Sequence, residues 1–427
     1  MKFEATREHA LRRDREDALQ SFRWRFHLPP GRTRKTAVYF AGNSLGLQPT
    51  AARALVNEEL DDWARHGVAG HLESRRPWLH YHEQLASDTA LLVGAKPDEV
   101  VNMNTLTVNL HLMMVSFFRP TPQRPCILIE AGAFPSDRYA VASQLAYHGL
   151  NVRDALFEVA PRPGEHCVCA EDLYAILERE GHRIALVLWP GVQYRTGQAF
   201  DLARITSIAR AQGCRVGFDL AHSAGNLPHA LHDWGPDFAC WCSYKYLNAG
   251  PGAIGGCFVH QRHAHSADLP RFAGWWGHDK ATRFLMGPDF NVLLGAEGWQ
   301  VSNPPILSMA PLIASLAMFR EAGMQRLREK SIALSGFLEC LLENRLGKAV
   351  EIVSPREPAE RGCQLSLRLR SGVARGKSVF DEISRRDVVC DWREPDLIRA
   401  APVPLYNSFE DVWDFVEILS AALEPAR

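Results

Sequence analysis

Between about residue 90 and residue 260 the chain alternates short apolar, β-rich runs with segments of helical periodicity. No other feature constrains the fold as much. Val100–Met103, Cys126–Glu130, Ile184–Trp189, Arg215–Phe218, Phe238–Ser243 and Gly256–His260 read as strands. Val108–Phe118, Ser136–His148 and Ala203–Gln212 read as helices among them. Strands separated by helices imply a mainly parallel sheet with helices on both faces.

The flanks have a different character. The first fifty residues predict a charged helix over Ala5–Phe22, a turn at HLPPGR and an apolar strand over Ala37–Gly46. They are expected to form an arm (1–50) that packs on a smaller domain. A helix over Thr50–His66 opens the large domain (51–307). After Asn303-Pro304-Pro305 one long helix is predicted over Ser308–Asn344. Strands follow at Val350–Val353, Gln364–Leu369, Val388–Cys390 and Leu397–Ala401, with helices over Lys377–Arg385 and Asn407–Leu423. That pattern predicts a small α+β domain over 308–427.

Composition excludes several classes of function. Lys plus Arg is 48 and Asp plus Glu is 49, so the net charge of −1 leaves no broad cationic face for nucleic acid or acidic lipid. No apolar run approaches the ~18 residues of a membrane helix. The charged N-terminus has no apolar signal region, so the expected location is the cytosol. Ten cysteines contain no C-x-x-C pair. Cys167/Cys169 and Cys240/Cys242 are expected to be reduced thiols in strand-like core segments. No metal site is expected. His80/His82 and His260/His263/His265 lack a cysteine or acid at zinc-ligand spacing and read as loop or surface residues.

The chemistry concentrates between Asp219 and Gly256. RVGFDLAHSAGN is a strand ending in an acid and a histidine, and ligands bind at the carboxyl ends of strands in open α/β sheets. Lys245 follows the next apolar run, between Tyr244 and Tyr246. A partly desolvated lysine there has a free amine for Schiff-base formation. The glycines after it allow close approach of backbone to a cofactor. Asp219 supplies the acid that a pyridine nitrogen needs, so the set fits pyridoxal phosphate. Gly250-Pro251-Gly252-Ala253-Ile254-Gly255 matches G-x-G-x-x-G, but strand-like sequence follows it where a dinucleotide site needs a helix. Asn104–Thr107 precedes a helix and suits a phosphate, with an ordinary Thr cap as the other reading. Ala133–Asp137 opens another helix. Phe134 there could stack on a planar ring, and Asp137 is either a cap or a second acid.

These residues resemble the kynureninase family, pyridoxal-phosphate hydrolases of the aspartate-aminotransferase-like fold (fold type I). The likeness spans nearly the whole chain: FAGNSLG (40–46), RRPW (75–78), NTLTVNLH (104–111), AFPSD (133–137), TGQ (196–198), FDLAHSAGN (218–226), SYKYLNAGPG (243–252), GWWGH (274–278), VSNPPI (301–306) and RAAPVPLYNSFEDV (399–412). The resemblance implies that Lys245 bonds the cofactor, that Leu106, Thr107 and Tyr244 hold its phosphate, and that Tyr244 serves in proton transfer. It places Phe134 on the ring face, Asp219 and Asp137 on the pyridine side, and His222 beside the ring. Trp275 and Asn303 would complete the site from the partner subunit of a homodimer. Arg399 would clamp the substrate carboxylate.

The implied reaction is hydrolysis of L-kynurenine or 3-hydroxy-L-kynurenine to anthranilate or 3-hydroxyanthranilate plus L-alanine. His71, Ser302 and Asn303 resemble the trio of relatives that favour the hydroxylated substrate. Pro190 departs from the family, in which many members carry a small hydroxyl residue. An aminotransferase, a cysteine desulfurase and a cofactor-free relative are the alternatives. None of the ten cysteines stands in an obviously mobile, electropositive segment, as a desulfurase would need. Intact Lys245, Asp219 and Arg399 argue against a cofactor-free relative.

Overall fold

The computed structural model describes residues 3–263, Ser266 and 269–424. A short strand in the N-terminal arm, β1 (Val38–Tyr39), comes first. One sheet then gathers β2 (Val100–Asn102), β3 (Cys126–Glu130), β4 (Leu156–Val159), β5 (Ile184–Pro190), β6 (Arg215–Asp219), β7 (Phe238–Cys242) and β8 (Gly255–Val259). Its order is β2-β8-β7-β6-β5-β3-β4. The five strands from β7 to β4 are parallel, and β8 and β2 add antiparallel pairings at one edge. CILIE of β3 and FACWC of β7 are buried at every position, because helices cover both faces.

This topology locates a site. From β3 the chain steps outward to edge strand β4, then returns to place β5 on the other side of β3. Where strand order reverses in this way, a crevice opens at the carboxyl ends of the strands. Glu130 ends β3, Pro190 ends β5 and Asp219 ends β6.

The small domain holds β9 (Val350–Ile352), β10 (Leu365–Leu369), β11 (Val388–Val389), β12 (Asp391–Arg393) and β13 (Leu397–Ala400). Four of these form an antiparallel sheet in the order β12-β13-β10-β9, and β11 pairs in parallel with β1. The helix expected over 308–344 is two helices, Ile306–Ala322 and Met324–Leu346, bent by 83°. Gly323 between them has φ +77°, which interrupts the helical backbone at low cost for glycine alone. Leu312, Leu316 and Phe319 of the first helix join the large core, whereas Leu334, Phe337 and Leu341 of the second join the small one. The large core therefore reaches Gly323. The arm also bridges both cores, with Phe22, Phe26 and Leu47 in the large one and Val38 and Phe40 in the small one.

Several local expectations are corrected. The first helix is only Arg7–Arg15, followed by a 3-10 turn at Gln20–Arg25. The strand expected to Gly46 stops at Tyr39, because the rest of FAGNSLG turns against the Lys245 loop. Gly46 N–H donates to the Tyr244 carbonyl at 2.8 Å. Strand β4 and the helix Ala170–Glu180 lie where no element was expected. Cys169 caps that helix and Cys167 lies in a loop, so this pair is half-buried and outside any strand. His82 and His263 are buried rather than superficial. His263 contacts Asp237 at 2.7 Å, His82 lies 3.6 Å from Glu297, and His260 lies 3.8 Å from Glu99. These acids come from distant segments, so spacing could not reveal them. His265 lies outside the described residues. No single helix among the described residues is long and apolar enough to cross a membrane.

Candidate active site

Thr105, Leu106, Thr107, Glu130, Phe134, Asp137, Pro190, Tyr194, Asp219, His222, Tyr244 and Lys245 line a cavity of about 150 Å³ at the strand-order reversal. Lys245 sits in the loop after β7, nine-tenths buried, with Nζ 3.0 Å from His222 Nε2. Burial, then the charges of Lys245, Arg399 and Arg393, hold the His222 imidazole well below its usual range. The other ring nitrogen, Nδ1, is buried without a partner.

Asp137 and Asp219 face each other. Burial, then the Asp219 charge, hold Asp137 well above the ordinary carboxyl range, with Lys245 opposing. Asp137 is therefore the carboxyl of the pair pushed toward its neutral form. Asp219 Oδ1 accepts from the N–H of Ala221 at 2.7 Å, which fixes its orientation. Asp137 Oδ1 has no partner in the structure. Burial, then Cys242 and Asp219, push the Tyr244 phenol upward, so it holds its proton at neutral pH.

Two helix starts meet at the other end of the cavity, Leu106–Phe117 and Pro135–Tyr147. Thr107 Oγ1 and Ser136 Oγ lie 2.8 Å apart between them. Thr105 makes no side-chain cap, so the N–H groups of that first turn remain available. Paired N-termini with hydroxyls form an anion site. Phe134 is 39% exposed, with its ring 5.8 Å from Lys245 Nζ, and is free to cover a planar ring. An amine, a buried carboxyl pair, an aromatic face and two helix N-termini with hydroxyls fit pyridoxal phosphate. Asp137 Oδ1 and His222 Nδ1 are buried polar atoms that a bound cofactor would partner.

Other expected residues lie elsewhere. Trp275, Ser302 and Asn303 are exposed, His71 packs edge-on to Trp78 at 5.5 Å, and none lines this cavity. Arg399 is fully buried behind it, bonded to Asp391 and to the Tyr194 carbonyl. Sequence reading missed Glu130, Ser136 and Tyr194. Glu130 is the charged end of an otherwise apolar strand, a signal that was available. Burial pushes its carboxyl up to about 8, with the nearby Gln193 amide opposing.

Comparison with known proteins agrees. The aminotransferase class-V model matches residues 49–369, and the kynureninase C-terminal domain model matches 327–419. The kynureninase of Myxococcus xanthus is 60% identical over 98% of this chain and 97% of its own. The chain belongs to the kynureninase family. Koribacter versatilis kynureninase is 55% identical over 99% of both chains, and that of Xanthomonas euvesicatoria 58% over 97% and 98%. As a family member the chain is a hydrolase of carbon–carbon bonds whose cofactor is pyridoxal phosphate. Solved structures share its fold. A C-DES mutant with glycine covalently linked to its cofactor has TM-score 0.77 at 19% identity, covering 90% of this chain and 96% of its own. The cysteine desulfurase CsdA from Escherichia coli has TM-score 0.76 at 16% identity, covering 95% and 98%. The main kynureninase motifs, NTLT, AFPSD, FDLAH and SYKY, converge on one cavity.

Proposed function

We propose that this kynureninase-family enzyme hydrolyses L-kynurenine and 3-hydroxy-L-kynurenine to L-alanine and the corresponding anthranilate, with preference for the hydroxylated substrate. The reaction would serve tryptophan catabolism or NAD precursor synthesis. The observation that carries the reading is Lys245 at the strand-order reversal, between the Asp137–Asp219 pair and the paired helix starts. Bound pyridoxal phosphate supplies an electron sink for charge that develops on the substrate's carbon chain.

The chain's own residues supply the rest. Asp219 holds the charge that the pyridine nitrogen requires. Lys245 would take the α-proton of a bound substrate, and His222, 3.0 Å away, would share that proton. Hydration of the γ-carbonyl then permits the Cβ–Cγ bond to break. Tyr244, which keeps its proton at neutral pH, donates toward the three-carbon product. Arg399 binds the substrate carboxylate, once Asp391 yields part of the guanidinium.

A homodimer with shared sites completes the reading. Trp63 is 60% exposed, Val68 85% and Trp275 41%, which is the apolar surface a second copy would cover. Trp275, Ser302 and Asn303 are outside this chain's cavity, which supports their entry from the partner, and His71 would join them in reading the ring hydroxyl. Ten unpaired thiols support a reducing cytosolic location.

Loaded enzyme given either substrate should release equimolar alanine and aromatic amine. Absence of both products would overturn the proposal. The substitution His71→Trp with Asn303→Thr should move kcat/KM toward plain kynurenine, because a site built to bind a hydroxyl penalises its absence. An unchanged ratio would remove these residues from specificity.

A further inference from the structure

The turn after β5 carries Tyr194 into the cavity wall. Its ring stands edge-on to Phe134, with centroids 5.3 Å apart, and lies 6.4 Å from His222. Its carbonyl accepts from Arg399 Nη1 at 2.6 Å and from Gln364 Nε2 at 3.2 Å. The side chain that shapes this turn is Gln193, which is 5% exposed and outside the cavity lining. Its Nε2 donates to the Gly132 carbonyl at 3.1 Å, two residues before Phe134. Its Oε1 accepts from the N–H groups of Arg195 at 2.5 Å and Thr196 at 2.9 Å. One buried amide thus ties the loop under Phe134 to the turn under Tyr194.

The small domain grips the same turn. Ser366 Oγ donates to the Arg195 carbonyl at 2.6 Å and Ser354 Oγ to that of Thr196 at 2.5 Å. Asn43 of the arm donates to Gln364 Oε1 at 2.8 Å, which steadies the Gln364 amide against the Tyr194 carbonyl. Three segments distant in sequence therefore meet at a turn whose internal geometry depends on Gln193.

We propose that Gln193 is a positioning residue: it sets Phe134 against Tyr194 and, through the Tyr194 carbonyl, sets how Arg399 is presented to a substrate carboxylate. This rests on the reading of Arg399 given above. Without the amide, one carbonyl and two N–H groups lose their partners inside the protein, and the turn must rearrange to satisfy them. Small displacements of groups that orient a substrate cost much of their effect.

The test uses loaded enzyme carrying Gln193→Met, which keeps the length and removes all three bonds, and Gln193→Glu, which keeps the acceptor half. L-Alanine affinity is read from the visible absorption of the loaded enzyme, beside cofactor affinity, KM and kcat. Gln193→Met should weaken L-alanine binding and raise KM about tenfold, the size of one lost positioned hydrogen bond, with kcat and cofactor affinity within about threefold. Gln193→Glu should fall between it and the parent. Unchanged alanine affinity and KM would overturn the proposal, as would a parallel loss of cofactor affinity, which signals general damage. If the Met variant does not fold, the Glu variant decides on the same two readouts. A parent enzyme that binds L-alanine but cleaves no kynurenine would sink the substrate reading and leave the Gln193 comparison intact.

Discussion

At the scale of single residues, the cavity is organised by protons kept and released. Asp137 keeps one because it is buried against Asp219. An amide mimics a protonated carboxyl, so Asp137→Asn should keep cofactor affinity within about threefold. Asp219→Ala removes the strand-end carboxyl altogether and should bind cofactor weakly and turn over poorly. Cofactor titration of both variants checks this, and equal losses would refute the assignment of the proton. Glu130 gives a second case. Its folded value of about 8 lies above its ordinary 4.5, so between those values the folded enzyme holds a proton that the unfolded chain has released. Stability therefore falls as pH rises through that window and levels off above it. Glu130→Gln should flatten the fall in Tm between about pH 5 and 8 relative to the parent. Parallel Tm curves would show that Glu130 titrates normally.

At the scale of elements, the site depends on segments that approach one another closely. A Cβ on Gly46 would stand 2.3 Å from the Lys245 carbonyl and 2.8 Å from Asn248 Cα. Backbone cannot yield as a flexible side chain does, so Gly46→Ala should push the arm off the lysine loop. We expect weaker cofactor binding and a lower Tm, measured by titration and melting. Retention of both would mean that the arm is dispensable to the site. The sheet strands were legible because each is an apolar run between breakers, and β3 spans the expected residues, Cys126–Glu130. Strand β4 was missed because LFEV is short and partly exposed at the edge. The break at Gly323 was missed because apolar periodicity continues on both sides of it.

At the scale of the whole molecule, the proposed dimer makes a sharp prediction. Lys245→Ala and Asn303→Ala would each abolish turnover of the hydroxylated substrate at every site in their own homodimers. Mixed dimers, formed by unfolding and refolding the two together, would contain one site with neither change. Activity should then recover to about a quarter of the parent's, as expected for two-fold sharing with random pairing. No recovery would place Asn303 in the same site as its own Lys245.

The amino-acid sequence by itself determined the layered α/β architecture, the lysine and the acid that line one cavity, and the family. Those features rest on local patterns: apolar runs of strand length, a strand-end acid, a lysine before glycines. Tertiary structure alone decided which groups share a proton and which are held back. Asp137 meets Asp219 across 82 positions, and Arg399 meets Tyr194 across 205. It also decided that Gln193 bridges two loops and that His82 and His263 are buried against acids. Such pairings are set by how strands and loops stack in space. Charge and hydrogen bonding act through distance, and distance in the fold is not written in spacing along the chain.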